Sequence, residues 1–125
     1  MEKATHPQRL DHSRYVDHLQ KWEQYFSDDQ IFIGFFEEIN KQPNDFLKKL
    51  FKFLDLPVID HSVFDKLVHK KVNANSTTIP VKVLTAIAQS EYGNIIKTHQ
   101  RFNNQYTATW VNEVEKILGM KSKTN

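Results

Sequence analysis

His69-Lys70-Lys71-Val72-Asn73 is where the residue types of this chain best suit ligand chemistry. Three groups able to carry positive charge stand beside turn-forming residues, and such a loop suits an anionic cofactor or product. Lys70, Lys71 and Asn73 are therefore candidate cofactor contacts. The plain alternative is a solvated basic loop, because loops carry lysine routinely. Arg14 and Tyr15 are candidate substrate contacts, a guanidinium for an anion beside a phenol ring able to border a pocket. Tyr15 and Trp22 are also seven residues apart, a spacing that favours the core stripe of a helix. Glu37-Glu38 closes an apolar run, and functional carboxylates gather beyond the carboxyl ends of strands. The plainer expectation is that Glu37 holds a structural hydrogen bond while Glu38 faces water.

Other chemistries are excluded or unsupported. The chain has no cysteine, which removes disulfides, thiolate catalysis and cysteine-based metal sites. His6, His12 and His18 are six apart, and His61, His69 and His99 are scattered. A helical metal pair needs a spacing of four, so no metal site is expected. No Ser-His-Asp set stands out, and no catalytic residue is assigned. A net charge of +2 does not argue for nucleic acid or an anionic membrane. No stretch approaches the roughly 18 apolar residues of a membrane span. The opening MEKATHPQRLDHSRY lacks the apolar core of a secretory signal. A cytoplasmic location is the expectation, and Asn75-Ser76-Thr77 is read as a chance glycosylation pattern.

Positioning these groups falls to a chain of 125 residues, the size of one ordinary domain, read here as a single unit. Asp11 or Ser13 is expected to cap a first helix reaching about Phe26, with Tyr15, Val16, Leu19, Trp22 and Phe26 on one face. Gln30 to Phe36 reads as a short strand. Its apolar residues cover both faces, as in a strand buried on both sides. Asn40 to Pro43 is expected to be a loop. Pro43 or Asn44 then opens a helix ending near Leu56-Pro57, its apolar face formed by Phe46, Leu47, Leu50, Phe51, Phe53 and Leu54. A short helix from Asp60 or Ser62 to Val68 is followed by the loop HKKVNANSTTIP. Pro80 opens a long helix in which Gly93 costs roughly 1 kcal/mol relative to alanine and leaves room for a kink or break. Thr107 or Thr109 is expected to cap a last helix that Gly119 ends.

The fold is therefore read as mostly α with one short buried strand. A lone strand leaves its main-chain groups without partners. Three explanations stand open. The strand pairs with a second copy, it is part of a helix, or the chain is the downstream part of a larger α/β protein.

The order of residues favours the last, because it resembles the C-terminal part of the sulfotransferases that use 3′-phosphoadenosine 5′-phosphosulfate. The similarity runs from about Ser13 to Leu118. It comprises Tyr15, Leu19, Trp22 and Phe26, then QIFIGFFEEI, Pro43 and KFLDL, then HKKVNANSTTIP, and finally Tyr92, Ile95, Phe102 and Trp110. Phe36 stands where tyrosine is common in the family, and Asp55 where glycine is common. The resemblance implies the C-terminal portion of an α/β, P-loop-like fold. It implies an enzyme that moves a sulfuryl group to a hydroxyl or amine, with the cofactor-facing loop near Lys70, Lys71 and Asn73. The family's strand-loop-helix for the 5′-phosphosulfate and its 3′-phosphate segment have no counterpart here. The chain alone is thus expected to be inactive and to bind the donor weakly at best. Its expected partners are the missing N-terminal portion or a second copy joined through apolar surface. The competing expectation is a non-catalytic helical interaction module.

Overall fold

A computed structural model describes residues 5–57, 65 and 75–120, apart from the side chain of Arg9. The described residues are mostly helical and contain no strand. They fall into two compact units, one from Met1–Gln24 and Thr77–Asn125 and one from Tyr25–Ser76.

The first unit contains α1 (Pro7–Asp11), α2 (Tyr15–Glu23), α5 (Val81–Phe102) and α6 (Gln105–Ile117). Its interior is small. Val16 of α2, Ala88 of α5 and Val114 of α6 are buried, together with Glu91, Thr98 and Thr107. α5 begins after Pro80, as expected, and runs without interruption through Gly93. A single glycine costs a helix about 1 kcal/mol relative to alanine, too little to break a helix of 22 residues that packs on both α2 and α6. The stop comes at Asn103, whose φ of 44° and ψ of 49° are left-handed. Asparagine is among the few residues besides glycine that visit this region routinely.

α6 begins at once, and earlier than the threonines suggest. Asn104, not Thr107 or Thr109, is the N-cap. Its side-chain oxygen accepts from the N–H groups of Tyr106 and Thr107, both at 3.0 Å. Thr107 Oγ1 accepts in return from the Asn104 N–H at 3.3 Å, so Thr107 takes the third-position role of a capping box. Gly119, with φ of 68°, ends α6 as expected. The N–H of Met120 returns to the Glu115 carbonyl at 2.9 Å and that of Gly119 to Lys116 at 3.2 Å, the Schellman pattern.

In the second unit the expected strand finds no pairing partner among the described residues. Ile31 (φ −118°, ψ 117°) and Phe35 (φ −101°, ψ 140°) have extended backbone, but no ladder forms among the described residues. Phe36, assigned to the strand by its apolar character, is instead the first residue of α3 (Phe36–Lys41). The cause is the pair of acids that follows. Glu37 and Glu38 lie in the first helical turn, where the helix dipole favours negative charge. The Glu38 carboxylate accepts the Phe35 N–H at 3.0 Å. The expected loop at Asn40 to Pro43 shrinks to Gln42, whose φ of −141° and ψ of 60° are non-helical because a residue before proline avoids the helical region. Pro43 opens α4 (Pro43–Phe53).

The extended run is not buried on both faces either. Ile33 and Phe36 are exposed. Phe32 packs against α4, 5.7 Å from the Phe46 ring in an edge-on contact and 5.4 Å from Phe53. Gly34 lies under Phe46: a Cβ there would approach the ring's Cζ to 2.7 Å. α4 ends at Phe53, ahead of the expected Leu56-Pro57, with a Schellman pattern from Leu56 to Phe51 at 2.9 Å and from Asp55 to Lys52 at 3.2 Å. The residue at the left-handed position is Asp55, φ 54°. The expected helix from Asp60 or Ser62 to Val68 lies outside the described residues.

Glycine-to-alanine replacement should change sign between two sites. Gly93→Ala meets no atom within 4 Å and should stabilise by about 0.5–1 kcal/mol. Gly34→Ala collides with Phe46 and should destabilise by about 1–3 kcal/mol. Asp55→Gly removes a left-handed penalty and should stabilise by up to about 1 kcal/mol. Urea denaturation of the three variants checks all three signs.

Candidate functional site

The described candidate residues lie at the start of α2 and around the start of α3. Arg14 is the N-cap residue of α2, with no side-chain cap hydrogen bond. Its guanidinium stands 3.8 Å from Asp11. Tyr15 follows as the first helical residue, and it is 60 % exposed, as is Trp22. The core role that periodicity favoured for this pair is therefore overturned. α2 turns Val16 inward instead, and its carboxylates reach α5: Asp17 pairs with Lys97 and Glu23 with Arg101. These partners lie 80 and 78 residues away in sequence, and no local spacing signals them.

At α3 Glu38, expected to face water, instead holds a structural hydrogen bond, while Glu37 is half-buried with its Oε2 out of reach of water. Its carboxylate is mostly buried and binds both the Phe35 N–H and Lys49 Nζ, the latter at 2.7 Å. The Lys49 hydrogen bond, then the backbone one, holds the Glu38 carboxyl below its ordinary 4.5. A carboxylate spent on a helix end and a lysine is an architectural group, not a free base.

Two further contacts join α5 to α6. Tyr92 donates its hydroxyl to Glu115 at 3.0 Å, and that carboxylate raises the Tyr92 phenol above its ordinary 10.0. His99 Nδ1 lies 2.9 Å from Oγ1 of the fully buried Thr107. Lys70, Lys71 and Asn73 lie outside the described residues. Among the described residues no group of acids and histidines is arranged to hold a metal ion, and no helix is long and apolar enough to cross a membrane.

A family model described as Sulfotransferase domain matches residues 3–120. The chain belongs to the sulfotransferase domain family. Comparison with curated proteins and with solved structures returned no match. The match spans the segment of resemblance from Ser13 to Leu118 and more. Asp55 acquires a physical meaning in it, because the family's glycine corresponds here to a residue with φ of 54°.

Sulfotransferases generally take the sulfuryl group from 3′-phosphoadenosine 5′-phosphosulfate. The described residues do not fit the 5′ end of that donor. A phosphosulfate needs open main-chain N–H groups at a helix start with a cation beside them. Gly34, the one glycine near a helix start, precedes α3, and there the Glu38 carboxylate already takes the Phe35 N–H. Two acids in the first turn would repel a dianion.

The α2–α5 ion pair has a testable pH dependence. The Lys97 hydrogen bond holds the Asp17 carboxyl below its ordinary 3.8. The folded chain therefore binds fewer protons there than the unfolded chain. The stabilisation is present above about pH 4 and is lost as pH falls through the lowered value. In Lys97→Met, NMR titration should show Asp17 moving up toward 3.8. The variant should lose stability at pH 7 and match the parent near pH 2.

Proposed function

We propose that this chain is the downstream, helical portion of a sulfotransferase domain that moves a sulfuryl group from 3′-phosphoadenosine 5′-phosphosulfate to a hydroxyl or amine acceptor. On this reading the chain does not catalyse transfer alone. The observation that carries it is the main chain of Phe32, Ile33 and Gly34. Among the described residues, none of their N–H or C=O groups is hydrogen-bonded. In extended backbone, alternate residues direct these groups to opposite edges. The edge carried by Phe32 and Gly34 is thus open, and on the other edge Ile33 is open between the bonded Ile31 N–H and the bonded Phe35 main chain, as in a strand whose neighbours are supplied by other polypeptide. Phe32 and Gly34 turn one face toward Phe46 of α4, while Ile31, Ile33 and Phe35 offer an apolar face on the other side.

Each candidate residue has a role in this reading. Lys70, Lys71 and Asn73 contact the anionic donor. Arg14 and Tyr15, exposed at the start of α2, stand on the substrate side. The phosphosulfate loop and the base that takes the acceptor proton come from upstream polypeptide. A second reading, a non-catalytic helical module, draws on the exposure of Tyr15, Trp22 and Phe36, which suits self-association through apolar surface.

Sulfuryl transfer from radiolabelled donor to phenol, alcohol and amine acceptors tests the proposal. The chain alone should give no turnover. The reading frame followed upstream should encode a phosphate loop, and that longer polypeptide should turn over. It should also melt at higher temperature with 3′-phosphoadenosine 5′-phosphate, by mass action. Turnover by the chain alone would overturn the division of labour. A longer polypeptide with neither turnover nor a melting shift would favour the non-catalytic module.

A further inference from the structure

We infer that the edge carried by Phe32 and Gly34 accepts an extended, uncharged segment with basic residues at its ends, and that it discriminates against a second copy of this chain. The inference rests on the strand reading above but not on sulfuryl transfer. Its first support is the open main chain of Phe32, Ile33 and Gly34, flanked by β-region dihedrals at Ile31 and Phe35. Such backbone is completed by another extended backbone.

Charge selects the occupant. The body, Gln30 to Phe36, is uncharged, and both ends are acidic. Asp28 and Asp29 precede it in an exposed 3₁₀ turn, and neither takes part in an ion pair among the described residues. Glu37 and Glu38 follow it. Lys49 offsets Glu38, so the end at Asp28-Asp29 is the more negative. Neighbouring strands lie about 4.8 Å apart. A second copy in antiparallel register sets Asp28 and Asp29 near Glu37 and Glu38. In parallel register the same acids face one another. Like charges across a strand pair are unfavourable, so both self-pairings are opposed. A partner ending in lysine or arginine is favoured in either direction.

The test uses the full chain and two synthetic peptides. Each peptide has a Val-Thr-Val-Thr-Val body, with two lysines at each end of one and two aspartates at each end of the other. Fluorescence anisotropy at low salt should show the lysine peptide binding about tenfold more tightly, the difference shrinking as salt screens the ends. Amide exchange by NMR should show Phe32 and Gly34, which share one edge, protected by the bound peptide. The double variant Asp28→Lys with Asp29→Lys, which leaves the body intact, should reverse the preference. Sedimentation without peptide should show no dimer that protects these amides. Equal binding of the two peptides at low salt, binding without protection of the Phe32 and Gly34 amides, or a self-dimer protecting them would each overturn the inference. Failure of the transfer assay with these results intact would count against the sulfotransferase reading alone.

Discussion

A main-chain N–H or C=O that leaves water must find a partner, and this requirement organises the chain. Each helix end described above solves it by different means. Asn104 lends a side-chain oxygen, and Thr107 answers it. Asp55 and Gly119 adopt left-handed backbone so that the following amides turn back onto the helix. Glu38 reaches back to Phe35. Between Ile31 and Phe35 no such device operates, and the run is held by side chains alone, with Phe32 against Phe46 and Phe53.

The exception separates what was legible in the sequence from what was not. Helix starts at Pro43 and Pro80 and the stop at Gly119 could be read because proline and glycine act through their own backbone restrictions. The wet face of α4, with Lys48, Lys49 and Lys52 exposed, followed from periodicity. Phe36 reads as strand by hydrophobicity, but the acids after it start a helix. Thr107 reads as a cap by residue type, but Asn103 in left-handed backbone moves the helix start upstream. Tyr15 and Trp22 share a helix face, yet periodicity says only that they share it, not that α5 covers it. The two ion pairs to α5 depend on tertiary proximity and left no local trace.

The candidate site was less legible than the fold. Its two parts differ in kind. Arg14 and Tyr15 are placed and exposed, whereas the assignment of Lys70, Lys71 and Asn73 stands on residue type and resemblance. Glu38 shows how a carboxylate beyond an apolar run can look functional and be committed to holding a helix end. The family match and the open backbone point the same way, toward a piece of scaffold that lacks the donor's phosphate cradle among its described residues.

The first unit is assembled from two stretches separated by the whole of the second. During synthesis, α2 leaves the ribosome without its α5 partners, because Lys97 is 80 residues behind Asp17. At about 5–20 residues per second, the wait is about 4–16 s. Throughout it, Val16 and the exposed aromatic rings of α2 are open to chaperones, which makes the nascent chain, more than the finished one, the form most vulnerable to misassembly.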